Sequence, residues 1–403
     1  MPESKKDVGL YVHIPFCSSK CDYCDFFSVA ESGSCINDGY IRAVLNESLF
    51  YAKKLNIQMW STIYIGGGTP SIMSAGQIKA LLDGLKKSAA SCEMNPLETT
   101  IEMNPQSITE EKLCAACSGG AGRLSIGLQS FTQKALDAVN RGCTAKTAEK
   151  AMSTVKKNWN GKLSLDCMAG LPCQNMNEFT DSLEKMISYD PDHISLYTLT
   201  VEEGTALFRR IENGMDFDFD EADRQWLEGR SILEKNGFRQ YEVSNFALPG
   251  NESIHNSSYW KQKDYVGIGA GATGTLYDFS PGKKGFRWTN TKDIKKYIEF
   301  WNGNDISEEK IPRETELLDS ATEEFEYLMT GLRTMRGLEP EEYRERFQHL
   351  KWKGDLRARL GADDGAWKKF SERGMCADFE STGRYALNGK GILFLNPILE
   401  EYL

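Results

Sequence analysis

Between residue 9 and about residue 201, short runs of apolar and β-branched residues alternate with longer stretches in which apolar positions recur at helical spacing. The short runs predict strands over Leu10–Ile14, Thr62–Ile65, Thr99–Met103, Leu124–Leu128, Leu163–Met168 and His193–Thr200, most of them followed closely by Gly, Pro or Asn. The intervening stretches predict helices over Asn37–Leu55, Ser74–Ser88, Ser107–Cys117, Thr132–Val139, Thr147–Trp159 and Met176–Tyr189. Successive βα units demand parallel strands, because each crossover returns right-handed over the same sheet and leaves its helix outside. Six units fall short of the eight that close a barrel. The predicted fold is therefore α/β, a partial (β/α)6 TIM-like barrel.

Past residue 201 the rhythm changes. Asp216–Lys235 reads as a long charged helix, Phe238–Phe246 as a strand, and Val266–Thr275 as a Gly-rich segment. From about Pro312 helices dominate, with Ala321–Thr330 and Glu339–Phe347 the clearest, and Tyr385–Phe394 and Ile398–Leu403 read as a hairpin or wing plus a helix. A boundary near residue 300 is expected, giving 1–300 for the barrel with its extension and 301–403 for a smaller, mainly helical region.

With 403 residues, 40% of them apolar and 26% charged, the chain can build a substantial core. Its formal net charge of −10 argues against a nucleic-acid partner, whose phosphates call for a basic surface. No apolar run approaches the ~18 residues that a membrane span needs, and Met1–Val8 lacks the apolar centre and cleavage site of a secretion signal. A cytoplasmic location is expected. Eleven cysteines are many for such a chain, and a reducing compartment makes them thiols or metal ligands. Eight are scattered (Cys35, Cys92, Cys114, Cys117, Cys143, Cys167, Cys173 and Cys376), whereas Cys17, Cys21 and Cys24 lie within eight residues.

Those three form a Cx3Cx2C loop just after the first strand, in Tyr11-Val-His-Ile-Pro-Phe-Cys17-Ser-Ser-Lys-Cys21-Asp-Tyr-Cys24. Iron–sulfur clusters are held by Cys thiolates, normally four. Three ligands from one loop leave one iron open for a small molecule. A structural zinc site would need a fourth Cys or His, and Cys114 and Cys117, the other close pair, fall in a predicted helix. The loop resembles the radical S-adenosylmethionine superfamily. That resemblance implies a [4Fe–4S] cluster whose open iron chelates S-adenosyl-L-methionine, with an electron from the cluster cleaving the sulfonium to a 5′-deoxyadenosyl radical.

The other strand ends carry groups suited to such a ligand. Ile65-Gly66-Gly67-Gly68-Thr69-Pro70 follows the second strand and brings backbone close to whatever binds there; a plain tight turn is the alternative. Glu102 ends the third strand, Gln129 the fourth, Asp166 lies in the fifth, and Arg141 follows a short helix. A zwitterion with a ribose needs a cation for its carboxylate, which Arg141 can supply, and acceptors for its ammonium and hydroxyls, which the other three can supply.

Together these segments, with His193–Thr205, Tyr241–Gly250 and His255–Ala272, resemble the oxygen-independent coproporphyrinogen III oxidase-like family over essentially the whole chain. By that resemblance Tyr11, Tyr23, Gly68, Thr69, Pro70, Glu102, Gln129, Arg141 and Asp166 fall on cofactor positions. The oxidases carry a further cysteine two residues after the third ligand, where this chain has Phe26, and an N-terminal extension that a first strand near residue 9 leaves no room for. Both departures match the HemW-type haem chaperones. That branch implies haem as ligand, a haem-acceptor protein as partner, and an electron donor such as a flavodoxin or ferredoxin; oxidative decarboxylation of coproporphyrinogen III is the alternative activity.

The chain has four histidines. His13 and His193 read as structural and His349 as exposed, leaving His255 of His255-Asn-Ser-Ser-Tyr259-Trp260 as the candidate haem ligand. A hydrogen-bonded histidine beside Trp260 is the alternative. Cys143 stands where relatives often have His. Gly269–Gly274 matches the letters of GxGxxG but opens no first βαβ unit, so a close backbone approach is expected there.

Overall fold

The computed structural model describes residues 7–30, 36–90 and 95–403; Cys35 and Cys92 lie outside these. Six βα units run in sequence. The strands are β1 (Gly9–Ile14), β2 (Thr62–Gly67), β3 (Glu98–Met103), β4 (Arg123–Gln129), β5 (Lys162–Ala169) and β6 (His193–Thr198). The helices between them are α1 (Asp38–Lys54), α2 (Ala75–Ser88), α3 (Glu110–Ser118), α4 (Gln133–Ala138), α5 (Ala145–Asn158) and α6 (Met176–Ile187). Neighbouring strands pair in parallel in chain order from β1 to β6. Local chemistry sets the helix starts: Ser74 with Gln77, and Asn175 with Glu178, form reciprocal caps that satisfy amides at the first turns of α2 and α6.

The two faces of this sheet differ in chemistry. Leu10, Val12, Ile63, Ile65, Ile101, Leu124, Ile126, Leu165, Ile194 and Leu196 are fully or almost fully buried and belong to the main core. The alternate positions of β2–β6 place Tyr64, Glu102, Ser125, Asp166, Ser195 and Tyr197 around a small polar cavity of about 40 Å³. The period-2 pleat thus sends apolar side chains to one face and a polar set to the other.

The sheet extends past the six units. After α7 (Ala206–Glu212) and α8 (Phe219–Lys235) come β7 (Arg239–Gln240), β8 (Asn245–Ala247), α9 (Ile254–Trp260), β9 (Tyr265–Ile268), β10 (Thr273–Leu276), β11 (Gly285–Asn290), α10 (Ile294–Trp301) and β12 (Arg313–Leu318). The strand order is β12-β11-β10-β9-β1-β2-β3-β4-β5-β6-β8-β7, open at both edges. The Gly-rich segment contributes β9, parallel to β1, and β10, antiparallel to β9. It is a close approach, as expected: a Cβ on Gly267 would lie 1.9 Å from the Thr273 carbonyl oxygen.

Two expected elements differ. Phe238–Phe246 is not one strand but two, because the Glu242 carboxylate accepts from the Ser244 amide at 2.8 Å and turns the chain between β7 and β8. Tyr385–Phe394 is not a hairpin. Tyr385 and Leu387 make isolated bridges to Leu338 and Cys376, and Asn388 Oδ1 then accepts from the amides of Lys390 (2.9 Å) and Gly391 (3.0 Å), starting a tight turn that leads into the helix Leu395–Glu400. After β12 the chain is helical, with α11 (Ser320–Leu332) and α12 (Pro340–Phe347) contributing to a second core that reaches from Tyr327 to Tyr402.

Candidate functional site

β1 ends at Ile14, and Phe16–Cys17 pairs with Val29–Ala30 to pinch off the loop between them. Cys17 is buried, with Sγ 3.3 Å from Thr69 Oγ1. The Cys24 amide donates to the Cys21 carbonyl at 3.1 Å, closing a turn that brings the second and third cysteines together. Asp22 anchors the loop: its amide donates to the Val139 carbonyl (3.0 Å) and its carboxylate pairs with Arg210 (2.6 Å). All three thiols are free, and burial pushes the Cys24 thiol up. Among the described residues no three metal-type side chains converge on a single ion position.

The Gly66–Pro70 loop lies directly on this one. The Gly68 and Thr69 amides donate to the carbonyls of Ile14 (2.9 Å) and Phe16 (2.8 Å). A Cβ on Gly68 would sit 2.7 Å from the Phe16 oxygen and 2.9 Å from the Ile14 oxygen, so only glycine allows the approach. Gly67 has φ 113°. Thr69 also accepts from Asn104 Nδ2 at 2.9 Å. Pro70, buried, begins a short 3₁₀ turn.

Glu102 accepts from the Tyr64 hydroxyl (2.7 Å) and the Gly67 amide (3.2 Å), and burial raises its pKa. Burial, reinforced by Glu102, pushes Asp166 up to about 7. A register shift between Gly127 and Gln129 bulges β4 and leaves Gln129 at φ 69°, which re-aims its side chain. Arg141 donates through Nη1 to the Tyr23 hydroxyl (3.1 Å) and Cys21 Sγ (3.5 Å), and through Nη2 to Asn104 Oδ1 (3.3 Å) and the Gly127 carbonyl. The Phe27 carbonyl can only accept, so His13 Nε2 donates to it (3.0 Å) and Nδ1 accepts from the Tyr11 hydroxyl (2.9 Å).

The strand ends therefore bring together Tyr11, Cys17, Cys21, Tyr23, Cys24, Gly68, Thr69, Pro70, Glu102, Gln129, Arg141 and Asp166. His255 lies elsewhere. It bonds Thr62, the first residue of β2, so a strand length of ~16 Å separates it from the cysteine loop. It is 1% exposed, Nδ1 lies 2.7 Å from Thr62 Oγ1 and Nε2 2.7 Å from the Tyr259 hydroxyl. The expectation of an available haem ligand at His255 is not met in this structure, because both ring nitrogens are engaged; the hydrogen-bonded alternative is what the packing builds. His13 and His193 are structural as expected, the latter between Ser164 Oγ (2.8 Å) and the Tyr241 hydroxyl (2.9 Å).

Sequence reasoning missed Asn104, which ties Thr69 to Arg141, and the polar inner-face set of Tyr64, Ser125, Ser195 and Tyr197. Strict alternation within each strand, as in Thr62-Ile-Tyr64-Ile and Leu163-Ser-Leu-Asp166, was the available signal.

A test of fit comes from the polar atoms left over. Buried polar groups are normally paired, yet Gln129 Oε1 and Arg141 Nε are buried without partners. An acceptor and a cation's donor, both beside three free thiols and a glycine cradle, match the needs of a zwitterion with hydroxyls. The residues fit the cluster and its nucleoside ligand.

Residues 11–186 match the Radical SAM superfamily model. That match, on this barrel and this cysteine loop, defines the class. Over 98% of both chains the sequence is 32% identical to the heme chaperone HemW of Haemophilus influenzae and 31% identical to that of Escherichia coli. It is 37% identical to a mouse mitochondrial radical S-adenosyl methionine domain-containing protein, over 68% of this chain and 62% of that one. The chain belongs to the HemW family of radical SAM proteins. Its fold is that of E. coli coproporphyrinogen III oxidase (HemN), with a TM-score of 0.78 at 20% identity over 99% of this chain and 90% of that one.

Proposed function

We propose that this protein is a haem chaperone that binds haem and passes it to an acceptor protein. The observation that carries the reading is the end-to-end similarity to HemW haem chaperones. Phe26 agrees with it: this side chain, 71% exposed beside Cys24, occupies the position where the oxidases place another cysteine.

Cys17, Cys21 and Cys24 hold a [4Fe–4S] cluster, and Tyr11, Tyr23, Gly68, Thr69, Pro70, Glu102, Gln129, Arg141 and Asp166 form the S-adenosyl-L-methionine pocket. Bound together, the two cofactors supply one-electron chemistry. The chain's own residues orient and shield. Arg141 takes the ligand carboxylate through its free Nε edge, and Gln129 accepts a hydroxyl. Burial raises both Glu102 and Asp166, and Asp166, pushed up to about 7 with Glu102's charge adding to the burial, can accept or donate a proton at neutral pH.

The nine described cysteines are free thiols, which suits the reducing cytoplasm, and among the described residues no helix is long and apolar enough to cross a membrane. A small electron-donor protein of the flavodoxin or ferredoxin kind would be the partner that supplies electrons to a cluster held by these cysteines.

The test is a haemin titration of the anaerobically reconstituted protein. A saturable shift of the Soret band, followed by loss of that band on adding an apo-haemoprotein, is expected. Absence of binding, or conversion of coproporphyrinogen to protoporphyrinogen under reducing conditions, overturns the reading.

A further inference from the structure

Helix α9 has two unlike faces. His255 and Tyr259 point to the sheet, where the His255 ring stacks on Tyr64 at 5.1 Å and Tyr259 packs on Tyr265 at 4.6 Å. Ile254, Ser257 and Ser258 sit at the complementary helical spacing and line a cavity of about 620 Å³ between α9 and the end of α11 with its following turn. Cavities of about 300–1,000 Å³ are the size that takes cofactors and similar ligands.

The lining has a definite chemistry. Trp260, Tyr327 and Leu338 supply apolar and aromatic wall. Lys261 and Arg336 supply positive charge to the lining, the Arg336 guanidinium also pairing with Glu339 at 3.1 Å. Lys261 makes no ion pair among the described residues, and burial together with Arg336 and Lys263 lowers its pKa, with Glu342 opposing them. Of the two carboxylates in the lining, Glu342 is spent on Arg346 at 2.5 Å, and Glu252 remains as the opposing charge. Trp260 Nε1 is buried without a partner, and its ring is held by the Arg333 guanidinium 4.6 Å away. An apolar slot with a cationic edge recognises a flat, apolar body that carries acids at one side.

We infer that this cavity is the haem site, with the macrocycle against Trp260 and its two propionates on Lys261 and Arg336. The inference rests on the haem-chaperone reading and adds the place and the recognition chemistry. It puts the cargo on the outer face of α9, away from the cysteine loop, where an acceptor protein reaches it without disturbing the cluster.

The experiment compares haemin with haemin dimethyl ester, whose propionates are masked, on the full reconstituted chain and on Lys261→Glu/Arg336→Glu. The double variant loses at least tenfold in haemin affinity, keeps its affinity for the ester, and reconstitutes its cluster normally. Ile254→Trp, which fills the cavity from an exposed position, weakens both ligands. If the double variant and Ile254→Trp bind haemin like the parent, haem sits elsewhere and the cavity assignment falls while the chaperone reading stands. If the parent chain binds no haemin at all, the chaperone reading falls and the assignment with it.

Discussion

His255 offers a measurement of how deeply α9 is locked against the sheet. Its imidazole is 1% exposed, and burial alone lowers its pKa from 6.5 to about 3. In the unfolded chain the ring takes its proton near the ordinary value, so the unfolded state binds protons first as pH falls. The neutral ring's contribution to stability is therefore complete above pH 6.5 and lost progressively as pH drops toward 3. At 1.36 kcal/mol per pH unit, one such group removes about 2 kcal/mol between about pH 8 and pH 5, and about 4 kcal/mol by about pH 3. His255→Gln keeps a neutral polar group facing Thr62 and Tyr259 but has nothing to titrate. Urea unfolding of the apoprotein, anaerobic and with reductant, is followed at about pH 8, 7, 6 and 5 for both proteins. Other groups that titrate in this range, Asp166 and His193 among them, cancel in the difference because no charged neighbour contributes to the His255 shift. The variant is less stable than the parent at about pH 8, and its deficit shrinks by about 2 kcal/mol by about pH 5. A deficit that stays constant over that span shows that the ring is hydrated, and refutes the burial argument.

Serine replacement of Cys17, Cys21 and Cys24 together abolishes the broad visible absorption of the reconstituted cluster, whereas replacing Cys114 and Cys117, both exposed on α3, leaves it intact. Arg141→Lys exchanges a planar fork for a point charge and weakens S-adenosyl-L-methionine about tenfold, read by equilibrium binding to the reconstituted protein. Gly68→Ala forces a methyl against two backbone carbonyls that have no room to move, and lowers unfolding free energy by about 1–3 kcal/mol with loss of cluster yield, read by urea midpoint and iron content. Asp166→Asn gains stability relative to the parent as pH rises from about 4 through about 7: the parent's raised carboxyl holds its proton in the folded state and must ionise in a buried site above that range, which the amide never does.

Much of this protein is legible without its fold. The six strand and helix pairs follow from apolar runs and turn residues, because a strand covered by helices and a helix lying on a sheet leave strong local patterns. The cysteine loop is legible because its ligands are neighbours in sequence, and Gly66–Pro70 because its chemistry is carried by glycine itself. The single strand expected over Phe238–Phe246 and the hairpin over Tyr385–Phe394 went astray for one reason. In each, a lone polar side chain, Glu242 or Asn388, bonds nearby amides and turns the chain, and apolar content carries no trace of that.

The tertiary structure alone decided what depends on distant partners. Gln129 is aimed by a bulge in strand pairing, Arg141 by Tyr23, Asn104 and Gly127, and His255 by Thr62, nearly two hundred residues away. The sequence by itself determined which atoms the protein brings: three thiols, a glycine cradle, and a polar face on β2–β6. Whether a polar atom has a free lone pair or proton is a property of its three-dimensional neighbours. That is why His255, promising by motif, proves fully engaged, and why the cation-edged cavity on the other face of its helix appears only when α11 closes over it.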